Sequence, residues 1–218
     1  MPEYSDPHYW VERYKKEPNT NFDWYLTFVN LKDILEPYLR DDAKILVVGC
    51  GNSRLSYQLY EAGYQSIVSI DIAENVVEQM VEKYKESAPE LEWQKMDVRK
   101  LDFPSETFDL IVDKGTMDAL LCGKDSFENV LCAHKEINRC LKPQGIYVNI
   151  TYGQPESRLD HFKRQDLNWN VETKTVPKSM LGLEENQDNP SNYFYVYICS
   201  HPQESPKEEQ EPVTESIE

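Results

Sequence analysis

The stretch LVVGCGNSRLS, Leu46 to Ser56, decides the fold of this chain. An apolar run enters it, glycines follow, and a helical pattern leaves it. Glycine accepts a sharp turn and lets a ligand approach the main chain, so this is the layout of a ligand-holding strand-to-helix loop. The dinucleotide fingerprint G-x-G-x-x-G is incomplete, because Arg54 stands where its last glycine belongs. That third glycine serves the close helix approach under a pyrophosphate. A ligand without a pyrophosphate does not require it. The competing readings are an arginine that grips a phosphate, and a plain tight turn after a buried strand.

Around this stretch, apolar strands alternate with helices. Lys44–Val48 reads as a strand, with a helix around Leu55–Ala62 that stops at Gly63. Ser66–Ile70 reads as the second strand, and its helix carries Val76, Val77, Met80, Val81 and Tyr84 on one side. Leu91–Met96 and Phe108–Val112 read as strands three and four. Phe127–Leu141 reads as a helix ended by the turn Lys142-Pro143-Gln144-Gly145, and Ile146–Thr151 as strand five. Trp169–Val176 and Tyr193–Cys199 are β-rich, with a polar loop, Glu184–Asn192, between them. The pattern predicts an α/β, Rossmann-like fold. Its sheet is mostly parallel, with an antiparallel edge hairpin and helices on both faces.

Before the core, Pro18–Asn21 separates a short aromatic segment from a helix predicted over residues 22–39, with Trp24, Phe28, Leu31, Leu35 and Tyr38 on one face. Residues 1–40 are expected to join the core, 41–201, in one domain. Residues 202–218, rich in Pro, Glu, Ser, Thr and Gln, are expected to form a disordered acidic tail.

Bulk properties narrow the function classes. No apolar run approaches the ~20 residues that span a bilayer, and the N-terminus has no apolar signal core. The five cysteines are odd in number and form no C-x-x-C pair, which predicts reduced, mostly buried thiols in a cytosolic or nuclear protein without a zinc site. The net charge of −16 disfavours nucleic acid and anionic membranes and favours a basic partner, although acidity also serves solubility alone.

In such a sheet the ligand lies beyond the carboxyl ends of the strands. Asp71 follows strand two, 22 residues beyond Gly49, where a carboxylate accepts both ribose hydroxyls. A helix cap is the structural alternative, weakened by Glu74 and Asn75 nearby. Asp97 follows strand three, where it meets the amino group of an adenine. Asp113-Lys114-Gly115-Thr116-Met117-Asp118 then interrupts strand four with polar groups where a substrate enters. Glycine loop, acid, acid and polar insert together are the layout of an S-adenosylmethionine site.

Five stretches carry a closer likeness: YWVERY (9–14), FDWY (22–25), ILVVGCGNSRLSYQLYEAGY (45–64), MDVRKLDFPSETFD (96–109) and DKGTMDALL (113–121). They resemble a family of class I, seven-stranded S-adenosylmethionine-dependent methyltransferases. That family contains the methyltransferase-like 13 N-terminal domain and elongation factor 1-alpha lysine methyltransferase 4. The resemblance covers roughly residues 8 to 200. It implies Gly49 against the methionine portion of the cofactor, Asp71 on the ribose, Ile72 beside the adenine, and Asp97 and Val98 framing it. It also implies Lys114 in the pocket wall and Trp10, Tyr14 and Trp24 as an aromatic cover. Rings suit a sulfonium through their negative faces, and for Trp24 core packing is an equal reading. The implied substrate is a lysine of elongation factor 1-alpha, with the enzyme expected to be a cytoplasmic monomer. The resemblance implies a shorter stretch, on the substrate side of the fold, where this chain has the longer polar Leu183–Asn192.

Methyl transfer is an in-line displacement, so the protein mainly aligns nucleophile and methyl. A lysine acceptor, with an ordinary pKa near 10.4, must lose a proton first, and desolvation helps. Asp113 and Asp118 are the candidates to orient the amine, with helix capping the alternative for Asp118. DKGTMD is not the Asn/Asp-Pro-Pro-aromatic motif of nucleic-acid amino-methyltransferases, and no carboxylate set suggests a metal. A small-molecule N-methyltransferase and a non-catalytic cofactor-binding protein are the alternatives.

Overall fold

The computed structural model describes residues 3–18, 20–178 and 189–202. The acidic tail from 203 onward, and the part of the 183–192 loop before Asn189, lie outside them. Helix α1 (Pro7–Lys16) starts where Asp6 accepts from the His8 amide at 2.9 Å and Pro7 takes the first turn. Helix α2 (Phe28–Leu35) is shorter than the predicted 22–39 helix. Tyr25 takes a left-handed backbone, φ 63°, and breaks the pattern before Thr27. Trp24 therefore precedes the helix, and the core-face reading that rested on helical spacing falls away.

The sheet strands are β1 (Ile45–Val48), β2 (Ile67–Asp71), β3 (Glu92–Lys95), β4 (Phe108–Lys114), β5 (Leu141–Thr151), β6 (Asn170–Pro177) and β7 (Tyr193–Ser200). Between them run α3 (Leu55–Glu61), α4 (Glu74–Tyr84), α5 (Thr116–Leu121), α6 (Ser126–Cys140) and α7 (Pro155–Phe162). The order across the sheet is β3-β2-β1-β4-β5-β7-β6. The first five strands pair in parallel, while β7 runs antiparallel to both β5 and β6. The expected sheet and edge hairpin are both present, with β7 inserted between β5 and β6.

Two details differ from the sequence pattern. The Lys142–Gly145 turn is absorbed into β5: Leu141 pairs with Phe108 and the next partner pair is Ile146 with Leu110, so the ladder shifts register there. Helix α7, PESRLDHF, was not expected, because it has too few apolar residues to show a helical stripe.

Continuous apolar strands make sense once both faces are covered. On one face Ile45, Val47, Leu110, Val112, Val148 and Ile150 pack under α2, α3 and α4. On the other, Leu46, Val48, Ile70, Ile111, Tyr147 and Tyr197 pack under α6 and α7. Neighbouring strands β1 and β4 feed connections to opposite sides, so the crevice between their carboxyl ends is the place a ligand fits.

Candidate active site

A cleft opens at that crevice, with its floor set by the loop after β1. Gly49 adopts φ +57°, and a β-carbon there would stand 2.0 Å from Thr116 Oγ1. Gly51 adopts φ +50°, and its β-carbon would stand 2.5 Å from the Tyr14 hydroxyl. Only glycine fits either position. The Gly51 amide donates to Asp71 Oδ2 at 2.8 Å, and the Ala73 amide to Asp71 Oδ1 at 2.9 Å. Asp71 is thus both a turn organiser and a buried carboxylate on the cleft wall. Burial pushes its pKa up, against the pull of these backbone donors.

Arg54 does not line the cleft. Its exposed side chain reaches Glu61 at 3.9 Å and lies over Tyr57. The phosphate-gripping reading of Arg54 is not supported by this placement.

All nine residues expected to touch the cofactor line this one cleft: Trp10, Tyr14, Trp24, Gly49, Asp71, Ile72, Asp97, Val98 and Lys114. Asp97 pairs with Arg99 at 2.6 Å. Burial raises the Asp97 pKa, but the Arg99 hydrogen bonds outweigh it and leave the carboxyl below its ordinary value. The N-terminal segment is tied down by α4, since Asn75 Nδ2 donates to Val11 O and Gln79 Nε2 to Tyr14 O. Trp10 stacks on Tyr14 with centroids 6.1 Å apart and meets Trp24 edge-on at 6.4 Å.

Asp23 had no assigned role from sequence, yet it locks the site. Lys114 Nζ donates to Asp23 Oδ1 at 3.0 Å and to the Trp24 carbonyl at 3.1 Å, and Ser53 Oγ donates to Asp23 as well. Burial lowers the Lys114 pKa, and Asp23 opposes that shift. The signal in the sequence was FDWY, whose acid comes into play only through a pairing 91 residues away.

The two carboxylates expected to orient the substrate amine do not line the cleft. Asp113 accepts from the Thr116 and Met117 amides, Asn149 Nδ2 and Tyr147 OH. It is the anchor of α5, fully buried, with its pKa pushed up to about 6 chiefly by burial. Asp118 accepts from Tyr25 OH at 2.8 Å, Thr151 Oγ1 at 2.6 Å and Arg158 Nη2 at 2.9 Å. Both carboxylates are held by partners inside the fold, four donors on Asp113 and three on Asp118. Asp118 instead fixes Tyr25. That ring lies against Gly115, 5.3 Å from Phe194 and 6.0 Å from Tyr152 between centroids, and forms an aromatic wall beside the cleft.

The residues present fit S-adenosylmethionine. The cradle at Gly49 has no room for a side chain, Asp71 offers a carboxylate between the β1 and β2 ends, and the cover is aromatic. Fold and cleft together define a class I S-adenosylmethionine-dependent methyltransferase. The family model described as "Methyltransferase domain" matches residues 39–209. A solved Burkholderia thailandensis 1,6-didemethyltoxoflavin-N1-methyltransferase, holding S-adenosylhomocysteine, superposes with TM-score 0.67 at 16% identity, covering 90% of this chain and 87% of that one. At that identity the likeness is one of fold.

Curated relatives are closer in sequence. EEF1A lysine methyltransferase 4 of Mus musculus is 36% identical over 182 residues, covering 79% of this chain and 71% of the relative. The eEF1A lysine and N-terminal methyltransferase of Mus musculus is 35% identical over 203 residues, which is 91% of this chain but only 29% of that longer protein. The chain belongs to the methyltransferase-domain family and is similar in sequence to these relatives over most of its length.

Proposed function

We propose that this chain methylates a lysine side chain of translation elongation factor 1-alpha. The observation that carries the substrate is the 36% identity to EEF1A lysine methyltransferase 4, extending over most of both chains. The bound cofactor supplies a methyl group already activated on a sulfonium. The chain's part is to hold and align. Gly49 and Gly51 let the backbone close on the ligand, Asp71 takes the ribose hydroxyls, and Ile72, Asp97 and Val98 frame the adenine. Trp10, Tyr14 and Trp24 exclude water, and Lys114 anchors Trp24 through its carbonyl.

On the acceptor side, Tyr25, Tyr152 and Phe194 strip water from an incoming lysine. Desolvation disfavours the ammonium and so favours the neutral nucleophile. Asp118 serves as a positioning residue through the Tyr25 hydroxyl. Among the described residues the large exposed apolar side chains are spread over three helices, Val29 on α2, Val81 on α4 and Phe127 on α6, and two loops, Phe22 and Tyr152, which supports action as a monomer. All five thiols are unbridged, which supports a cytoplasmic setting. The net charge of −16 supports a basic protein surface as partner rather than nucleic acid or membrane.

Purified elongation factor 1-alpha incubated with the chain and methyl-labelled S-adenosylmethionine tests this reading. Label in a lysine-containing internal peptide is expected. Label confined to the substrate's N-terminus, or none, would overturn it.

A further inference from the structure

Four charged side chains line the cleft: Arg13, Asp71, Asp97 and Lys114. Two are neutralised by neighbours, Asp97 by Arg99 and Lys114 by Asp23. Arg13 is different. Its guanidinium lies 4.8 Å from the Phe22 ring centroid, 5.4 Å from Trp24 and 5.8 Å from Trp10, and among the described residues it has no carboxylate or carbonyl partner. The rings the sequence offered as a sulfonium cover therefore already carry a cation of the protein's own. A guanidinium held by its flat faces keeps its N–H edge free, and that edge matches a carboxylate.

Position completes the argument. Across the sheet the site runs from Asp97 beyond β3, through Asp71 on β2 and Gly49 after β1, to Lys114 on β4. A ligand with its adenine at Asp97 and ribose at Asp71 must place its amino-acid end toward β1 and β4. Trp24, tied to Lys114 through its carbonyl, presents Arg13 at that end. We propose that Arg13 is the counter-ion of the cofactor's α-carboxylate, aimed by Trp10, Phe22 and Trp24. Arg13 precedes the segment 39–209 that the family model matches, so this device belongs to the N-terminal segment. The inference rests on the cleft being the S-adenosylmethionine site.

Calorimetry on the full chain tests it, with S-adenosylhomocysteine and its decarboxylated analogue, 5′-(3-aminopropylthio)-5′-deoxyadenosine. The wild type is expected to prefer the carboxylated ligand by roughly ten- to hundredfold, the scale of a hydrogen-bonded charge pair. Arg13→Met, which keeps a stem over the rings, should collapse that preference to about threefold or less and leave the analogue's affinity unchanged. Arg13→Lys should retain part of the preference, and it carries the test if the methionine variant does not fold. Equal weakening of both ligands would make Arg13 a packing residue and overturn the proposal, as would unchanged affinities or a wild type that does not discriminate. A wild type that binds neither ligand would instead overturn the cofactor site itself.

Discussion

Replacing Asp71 with Asn separates the ligand-binding role of this carboxylate from its structural one. In the fold its two oxygens accept from the Gly51 and Ala73 amides at 2.8 and 2.9 Å. The amide retains one oxygen, so one backbone donor is left unmet, at about 1–3 kcal/mol. Burial already disfavours the charge at this position, and neutralising it offsets part of that loss. The variant is therefore expected to fold. Binding suffers more, because at least one charge-assisted hydrogen bond to the ribose disappears, about 1.5–3 kcal/mol, or roughly ten- to hundredfold in affinity. Thermal melts with and without S-adenosylhomocysteine read both effects. Ligand at a hundredfold excess over the wild-type dissociation constant stabilises the wild type by about 2.7 kcal/mol. At the same concentration a hundredfold weaker variant gains only about 0.4 kcal/mol. A folded variant whose affinity stays within about threefold of wild type would refute the ribose assignment.

How much of this was written in the chain depends on range. The strand ends were legible because apolar runs of sheet strands stop where the ligand begins. That is why Gly49, Asp71, Asp97 and Lys114 reach one cleft. The aromatic cover of Trp10, Tyr14 and Trp24 was legible through the family resemblance, with Trp10 also favoured because it lies ahead of the core. What escaped was pairing at long range. Asp23 acquires its role only when Lys114 meets it, and Asp113 and Asp118 are turned inward by Asn149, Thr151 and Arg158, on elements far along the chain. The 22–39 helix failed at Tyr25, whose positive φ reflects tertiary contact with Asp118 and Gly115 that overrides a helical spacing.

Further outcomes follow from the same geometry. Gly49→Ala should cost about 2–3 kcal/mol in denaturant titration, from the left-handed backbone and loss of the Thr116 hydrogen bond to Val48 O; an unchanged midpoint would contradict the cradle. Tyr25→Phe should lower the methylation turnover by about tenfold while cofactor affinity stays within about twofold, since the ring packs but Asp118 no longer holds it. Reduced cofactor affinity with normal turnover would place Tyr25 on the wrong side of the reaction. Burial among Tyr147, Phe162 and Trp169 pushes the His134 pKa down to about 3, below its ordinary 6.5. The unfolded chain therefore binds the extra proton. The stability this neutral ring contributes is present above pH 6.5 and is lost as pH falls from 6.5 toward 3, by up to about 1.4 kcal/mol per unit. His134→Phe should flatten that acid slope, and an identical slope in the variant would exclude His134 as its source.

The most direct test of lysine methylation is transfer itself. A whole-cell lysate is treated with the purified chain and methyl-labelled S-adenosylmethionine, and the labelled product is identified by peptide mass spectrometry. The account predicts one dominant labelled protein, elongation factor 1-alpha, modified on a lysine side chain, with labelling by Asp71→Asn reduced roughly ten- to hundredfold at limiting cofactor. Label appearing only in small metabolites, or no transfer by a wild-type chain that binds the cofactor, would contradict it.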